Sequence, residues 1–445
     1  MTDTQNNENQ PTKGVTRRSL LTAAGAAGAG GLLFGGAVGR LTAPDSAAGG
    51  AAGGPANDTP IKIGLVAPIT GPYSGDGQEM VRGQEIGIAE INANGGVHGR
   101  PLELVKADVT DLAPENYVKA AQRLTGQEKV AAVFSGYCTN DSTEFPIYAD
   151  AGVPMFHLNT LQANVDYVKN NGITNIYEGC PTEVWYGKGF IPLMQSWIDS
   201  GAWTPSAKSV AIVTSNDPYS ISIANALSDD IKKIGWTVPV FEQVTAPTAD
   251  WGPVLSKIRA AKPGLIFVTD YIPGDLASFA TQFASAPTQS LLYQQYGPSI
   301  PEYLQLAGTA GNDVIWSTTI GTLPDEIGAA FLAAYKSAYN ADAGLSQAGG
   351  QYDLVRLWAQ AASAVTDPMN FEAVNASIKR QIFRGVSGIY RFDPQSLVVA
   401  AYPDQVKDAS LGMPHLTYQI QDQKQVPISP DSFAAGSFKL PSWIK

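Results

Sequence analysis

The chain has 445 residues, 44% of them hydrophobic and only 16% charged, with 29 Lys and Arg against 40 Asp and Glu and a net charge of −11. Such a balance argues against a nucleic acid or an anionic membrane surface as partner. Residues 1–50 hold four basic and three acidic residues, so the remainder carries 25 bases against 37 acids, a net charge of −12.

The first 57 residues read as an address and a tether. Lys13, Arg17 and Arg18 precede a Gly/Ala/Leu stretch from Ser19 to about Val38, and Thr16-Arg17-Arg18-Ser19-Leu20-Leu21 fits a twin-arginine export signal. An ordinary secretion signal or an uncleaved membrane anchor is the alternative, since the stretch approaches the ~20 residues that a bilayer crossing takes. Ala43 to Asn57, rich in Gly, Ala, Pro and Ser, reads as a cleavage region followed by a flexible tether. The expectation is therefore an exported, extracytoplasmic protein, in the periplasm or on the outer face of the cytoplasmic membrane. No Cys follows the signal, so no lipid anchor is expected there. The only two cysteines, Cys138 and Cys180, fall in the exported part, where they form either a disulfide or two separate buried thiols. The roughly 390 residues beyond the tether are too many for one core and suit two lobes.

From Ile61 onward, nearly unbroken apolar runs alternate with amphipathic stretches, the pattern of strands buried on both faces between helices. The first strand is expected at Ile61–Ala67. A helix follows with Met80, Ile86, Ile88 and Ile91 at helical spacing, stopping at Asn94-Gly95-Gly96, where glycine accepts a left-handed turn. Next come a strand at Leu102–Ala107, a helix at Pro114–Thr125, and strands at Val130–Ser135, Pro154–Leu158 and Asn175–Glu178. Beyond a helix at Trp185–Ser200, strands are expected at Ser209–Thr214, Val238–Val244, Leu265–Thr269, Ser290–Gln294 and Val314–Thr318. Helices at Ser220–Ile234, Trp251–Ala261 and Pro273–Ala284 separate them. Asp325–Tyr339, Gly349–Val365 and Phe371–Lys379 complete the helices. The βα pattern runs once before about Pro181 and again after Ser209, as in an α/β chain of two lobes built alike.

Several runs are more specific than this pattern. They are Ile61-Lys62-Ile63-Gly64-Leu65, Thr70-Gly71-Pro72-Tyr73, the block Glu90 to Gly99, Ala149-Asp150-Ala151-Gly152-Val153-Pro154, Val210-Ala211-Ile212-Val213, and Gly385-Val386-Ser387-Gly388-Ile389-Tyr390-Arg391-Phe392-Asp393. Together they resemble type I periplasmic solute-binding proteins of ABC transporters, in the branch of leucine/isoleucine/valine-binding and urea- or amide-binding proteins. The resemblance covers essentially all of the chain beyond the tether. It implies two Rossmann-like lobes with parallel-type sheets joined by a three-segment hinge, with ligand between the carboxyl ends of the strands. Lobe 1 is then 58–182 plus 320–396, and lobe 2 is 183–319 plus 397–445 with the C-terminal segment. It further implies a monomer that takes a small polar ligand by hinge closure and delivers it to permease subunits, with no cofactor, no metal and no nucleic acid. Membrane contact would run only through the signal or anchor, or through the transporter.

Such a site needs a few convergent polar groups at strand ends and aromatic walls. The turn Gly136-Tyr137-Cys138-Thr139-Asn140-Asp141-Ser142 offers free N–H groups and hydroxyls. The resemblance places Thr139 on a ligand carboxylate, although Thr139 to Ser142 also suit a helix cap. Asn159 and Thr160 follow the next strand, Thr160 matching a second family contact or a turn that bonds its own backbone. In the second half, Tyr219 and the pair Asp270 and Tyr271 fall at cleft-facing turns. Tyr296 stands where the amino-acid binders carry a glutamate for the ligand ammonium, so either Asp270 takes over that charge or the ligand is not an α-amino acid. Tyr73, Tyr137, Trp185, Tyr271, Tyr293 and Tyr296 would make an unusually aromatic cleft, suited to a flat amide, an aromatic acid or a cation, with core packing the alternative for Trp185 and others.

Two other classes of function compete. An extracellular sensor feeding a receptor would share the fold. An α/β enzyme has little in its favour, since G-x-G-x-x-G after the first strand, a Walker sequence, a G-x-S-x-G elbow and metal-spaced His/Cys/Asp clusters are all missing. Cys138 as a nucleophile lacks an evident base among His98, His157 and His415, and His157 reads as a hydrogen-bonded core or rim residue.

Overall fold

A computed structural model describes residues 59–445, so the expected export signal and tether lie outside the described residues. The first half alternates β1 (Ile61–Ala67), α1 (Ser74–Ala93), β2 (Leu102–Asp108), α2 (Pro114–Gln122), β3 (Val133–Ser135), α3 (Phe145–Ala151), β4 (Met155–His157), α4 (Gln162–Asn170) and β5 (Ile176–Glu178). The second half repeats the scheme with α5 (Val184–Asp199), β6 (Ser209–Ser215), α6 (Pro218–Lys233), β7 (Thr237–Val244), α7 (Gly252–Ala261), β8 (Leu265–Thr269), α8 (Pro273–Ala284), β9 (Leu291–Gln294), α9 (Pro301–Ala307) and β10 (Ile315–Thr318). The chain then adds α10 (Glu326–Tyr339), α11 (Gln347–Ser363) and α12 (Phe371–Arg380). Two short ladders follow, β11 (Phe383–Arg384) with β12 (Ile389–Tyr390) and β13 (Ala401–Tyr402) with β14 (Met413–Pro414), before the hairpin β15 (Leu416–Gln421) and β16 (Lys424–Ser429).

The first sheet has the order β2-β1-β3-β4-β5, every pair parallel. The second runs β7-β6-β8-β9-β10 in parallel and is extended by the antiparallel β15 and β16. With β6 taken as its first strand, the second sheet has the same order as the first. Each therefore reverses direction of winding beside its first strand, and the crevice that this reversal opens lies at the carboxyl ends of β1 and β3 in one sheet and of β6 and β8 in the other. The fold expected from the sequence, two Rossmann-like lobes, is the one observed.

Central strands β3, β4, β6, β8, β9 and β10 are buried along their whole length, as their unbroken apolar runs require, whereas edge strand β7 alternates exposed and half-buried positions. The expected strand bounds agree to within a few residues. Helix α3 follows the turn that Thr139 to Ser142 were expected to cap, whereas α4, α9 and the β15–β16 hairpin were not among the expected elements. The helix expected to run to Thr125 instead continues from α2 into a π-helical turn at Arg123–Glu128.

Helix α1 lies along α11, and its glycines explain how closely. A Cβ on Gly83 would stand 2.1 Å from the carbonyl oxygen of Ala348, and one on Gly87 would stand 2.6 Å from Val355 Cγ1. Between them Gln84 is completely buried and donates to the carbonyl oxygen of Gln351 at 3.2 Å and to its side-chain oxygen at 3.1 Å. Asp353 on α11, also buried, accepts the N–H groups of Val386 at 2.7 Å and Ser387 at 2.9 Å and the Tyr390 hydroxyl at 3.0 Å. That carboxylate fixes the Gly385–Gly388 turn. Leu397, Val399 and Met413 pack in the same core as β1 and β3.

Replacing Gly83 by Ala must push α1 and α11 apart. The expected cost is about 1–3 kcal/mol of unfolding free energy, read by denaturant titration, while Gly95→Ala, with open space around its Cβ, strains only a left-handed position.

Candidate functional site

Between the carboxyl edges of the two sheets lies a cavity of about 500 Å³. Its walls come almost entirely from the segments that follow parallel strands: Tyr73 after β1, Tyr137, Cys138 and Thr139 after β3, Asn159 and Thr160 after β4, Tyr219 after β6, Tyr271 after β8, Tyr296 after β9 and Ile320 after β10. Tyr73 and Tyr137 flank the reversal point of the first sheet, Tyr219 and Tyr271 that of the second. The rings meet across the gap. Tyr73 and Tyr271 stack with centroids 6.1 Å apart, Tyr271 meets Tyr219 edge-on at 5.7 Å, and Tyr219 meets Tyr186 edge-on at 6.5 Å.

Local capping aims these rings. Asp108 at the end of β2 accepts the N–H groups of Ile69 at 3.0 Å, Thr70 at 3.3 Å and Thr110 at 2.9 Å, together with the Thr70 hydroxyl at 2.6 Å, and so holds the turn leading to Tyr73. Asp217 caps α6 by accepting the Ser220 N–H at 2.9 Å and takes the Ser215 hydroxyl at 2.6 Å, fixing the turn that presents Tyr219. The Tyr219 hydroxyl then accepts from the Gln295 amide at 2.7 Å.

One carboxylate joins the two lobes. Asp76, in the first turn of α1 and 4% exposed, accepts the hydroxyl of Tyr137 from its own lobe and that of Tyr296 from the opposite lobe, the second at 2.9 Å. Burial pushes its carboxyl up to about 6, further than the two phenol bonds pull it down. To reach Asp76, Tyr296 takes φ +56 and ψ −53, and the N–H of Gly297 bonds the carbonyl of Gln295 at 2.6 Å. This is the rare γ-turn of positive φ, which costs on the order of 1–3 kcal/mol and persists only where surrounding contacts enforce it. Here they do: Tyr296 and Ile300, though they follow a strand of the second sheet, are packed in the core of the first.

Of the residues singled out from sequence, Tyr73, Tyr137, Cys138, Thr139, Asn159, Thr160, Tyr219, Tyr271 and Tyr296 share the cavity wall. Trp185 does not; the helical phase of α5 turns its neighbour Tyr186 inward instead. Asp270 is also absent from the wall. It is fully buried behind Tyr271, its Oδ1 accepts the Ile272 N–H at 2.9 Å, and burial pushes its carboxyl up to about 7, so it supplies no ready anion to the cavity. Tyr293 is likewise buried, donating to Gln295 at 3.0 Å and paired with Ser317. Thr139 lines the wall, but its polar groups are occupied by the cap: its N–H donates to Glu144 at 3.0 Å, its hydroxyl donates to the other Glu144 oxygen, and it accepts the Thr143 N–H at 2.8 Å. Cys138 and Cys180 are both free and buried, so the disulfide held open above is not formed, and burial raises both thiols far above their usual range. His157 is a buried neutral imidazole pushed down to about 3.

Sequence reasoning missed Asp76, Tyr186, Asp217 and Gln347. Gln347 opens α11, is 2% exposed and lines the cavity with its Oε1 unpartnered. Among the described residues no group of three or more His, Cys, Asp or Glu is placed to hold a metal ion, and no helix is long and apolar enough to cross a membrane.

Two parallel sheets of like winding, with an aromatic cavity between their carboxyl edges, define a two-lobed α/β ligand-binding protein. A family model for periplasmic binding proteins matches residues 60–400, and the chain belongs to that family. A structure from Silicibacter pomeroyi assigned as a branched-chain amino acid ABC transporter is 36% identical, covering 86% of this chain and 100% of its own, with a TM-score of 0.80. The isoleucine-bound substrate-binding protein LivJ of Streptococcus pneumoniae shares the fold, at 21% identity over 84% of this chain and 100% of its own, with a TM-score of 0.69. Leu/Ile/Val-binding protein homolog 7 of Brucella abortus is 26% identical over 213 residues, 47% of this chain and 52% of its own; the chain thus spans about half the length of that relative.

Because the folded state binds the Asp76 proton more tightly than the unfolded chain, this group favours folding most below its ordinary value of 3.8, and that advantage is lost as pH rises through about 6. Asp76→Asn should therefore flatten the fall in unfolding free energy across that window, by on the order of 2–3 kcal/mol relative to the wild type. Denaturant titrations at a series of pH values test it, and parallel curves for the two proteins would contradict it.

Proposed function

We propose that this protein is the extracytoplasmic solute-binding component of an ABC importer, taking one small polar molecule into the interlobe cavity by hinge closure. The observation that carries this reading is a cavity of about 500 Å³ walled by residues that follow strands of both sheets. That volume suits a single small organic molecule, and neither lobe alone encloses it. A ligand touching both walls binds the closed arrangement better than any open one and shifts the equilibrium toward it. The closed shape is then what permease subunits would recognise outside the membrane.

On this reading lobe 1 is built on β1–β5 with α10–α12, and lobe 2 on β6–β10 with β15 and β16. The hinge is assigned to three crossings, near Thr182, near Thr319 and near Pro414; the last replaces the boundary expected after residue 396, because Leu397, Val399 and Met413 pack in the core of the first sheet. Glu183 stands at the first of them. Its carboxylate accepts the Gln162 N–H at 2.7 Å from one side and the Ser222 hydroxyl at 2.6 Å from the other. Membership of the periplasmic binding protein family supports an extracytoplasmic location, and a twin-arginine signal within residues 1–57 would supply the export route.

A thermal-shift screen of the full chain against amino acids, short amides, ureas, aromatic acids and amines tests the proposal. A true ligand at 100 times its Kd adds about 2.7 kcal/mol of stability. Tyr271→Ala, which removes a ring that stacks across the gap, should weaken that ligand by ~1–3 kcal/mol without changing the fold. Silence across the whole panel would count against a solute-binding role.

A further inference from the structure

We propose that the part of the ligand held in this cavity is an organic cation, an ammonium whose charge is spread over alkyl groups, seated among tyrosine faces; this rests on the solute-binding reading above. Six tyrosines, 73, 137, 186, 219, 271 and 296, line the cavity from both lobes. No Lys, Arg or His joins them, while Asp141 and Asp217 do. Asp76 stands directly behind two of the rings. Among the described residues, none of these three carboxylates has a cationic partner. Their hydrogen bonds come from hydroxyl and N–H groups, which orient the charge without cancelling it. The cavity is therefore negative; solvent screens the exposed Asp141, while Asp217 is half-buried and Asp76 lies buried behind the rings, where the aromatic walls limit screening.

The same arrangement disfavours an anionic head. A carboxylate would need the donors of the turn after β3, and there the Thr139 N–H and hydroxyl are both committed to Glu144. Tyr137 and Tyr296 donate their phenolic hydrogen bonds to Asp76 and so have none to offer a ligand anion. A phenol that donates to a carboxylate is polarised toward phenolate, which makes its ring face more attractive to a cation. The polar groups left over in the wall include the Thr160 hydroxyl, which has no partner among the described residues, the unpartnered Gln347 Oε1, and the side-chain amides of Asn140 and Gln347. These suit a hydroxyl or amide elsewhere on the same ligand.

The test uses tetramethylammonium, choline and acetylcholine as probes on the full chain, with 3,3-dimethyl-1-butanol as the uncharged isostere of choline, followed by calorimetry. At least one cation should bind, and the isostere should bind about 10-fold or more weakly than choline, because it fills the same volume without the charge. In variants, Tyr73→Phe should keep cation affinity within about 3-fold and Tyr73→Leu should lose about 10-fold, since a benzene face retains the attraction and an alkyl group does not. Equal binding of choline and its isostere would overturn the inference. If leucine, isoleucine or benzoate bind and no cation does, the cation inference falls and the solute-binding reading stands. If neither set binds, both fall.

Discussion

A buried carboxylate that has no cation, Asp76, takes one hydrogen bond from each lobe, and the arrangement of the cleft is built around it. Asp76 is buried, and a bare carboxylate in that position would be too costly to keep charged. Two phenols, one from each lobe, make the burial tolerable, so both protein partners are present only in this arrangement of the lobes. Opening would return Asp76 to water and remove the Tyr296 hydroxyl, at no large net cost. The same opening would release the γ-turn at Tyr296. On the proposed hinge motion, closure is set against strain and desolvation, with ring packing and core contacts on the other side. Such a balance leaves room for a ligand of ordinary affinity to decide the outcome.

The site follows from topology before it follows from any single residue. Two sheets of the same strand order each open a crevice at their reversal point, and when the sheets face each other the crevices merge. Most loops that leave a parallel strand on that side are then brought to the cavity, which is why residues as far apart as Asp76 and Tyr296, separated by 220 positions, come into hydrogen-bond contact. The glycines of α1 serve the same end. They bring α11 close enough for Gln347 at its start to reach the cavity wall.

What was legible in the sequence was whatever is encoded locally. The strand Leu265–Thr269 and the helix Pro273–Ala284 are bounded by breakers and caps and agree with expectation to the residue. The β15–β16 hairpin was not legible, because its turn at Asp422 and Gln423 places two residues at positive φ without the glycine that normally signals such a turn. Residues that follow strands could be picked out as cleft candidates because an extended strand fixes where its successor emerges. Trp185 and Tyr186 could not be told apart, since a shift of 100° in helical phase exchanges them and the sequence carries no marker of phase at the helix start. Asp76 sits between two glycines at the start of α1 and drew no attention in the sequence, because its role exists only through partners distant in the chain.

The replacement of a glutamate by Tyr296, inferred from the resemblance, acquires a physical meaning in this setting. In the amino-acid binders that position would place a full negative charge against a ligand ammonium. On the proposed reading, the buried charge at this position has moved one layer back, to Asp76, with a phenol between it and the cavity, while Asp141 and Asp217 stand in the wall elsewhere. A carboxylate at the surface of a pocket selects a compact ammonium that can donate several hydrogen bonds. A carboxylate screened by aromatic rings offers no acceptor at contact distance but leaves the electrostatic attraction, which favours a cation that is bulky and poor in hydrogen-bond donors. Specificity of this kind depends on where the charge is placed in depth. It can therefore change between relatives of one fold without any change in the sheets that build the cleft.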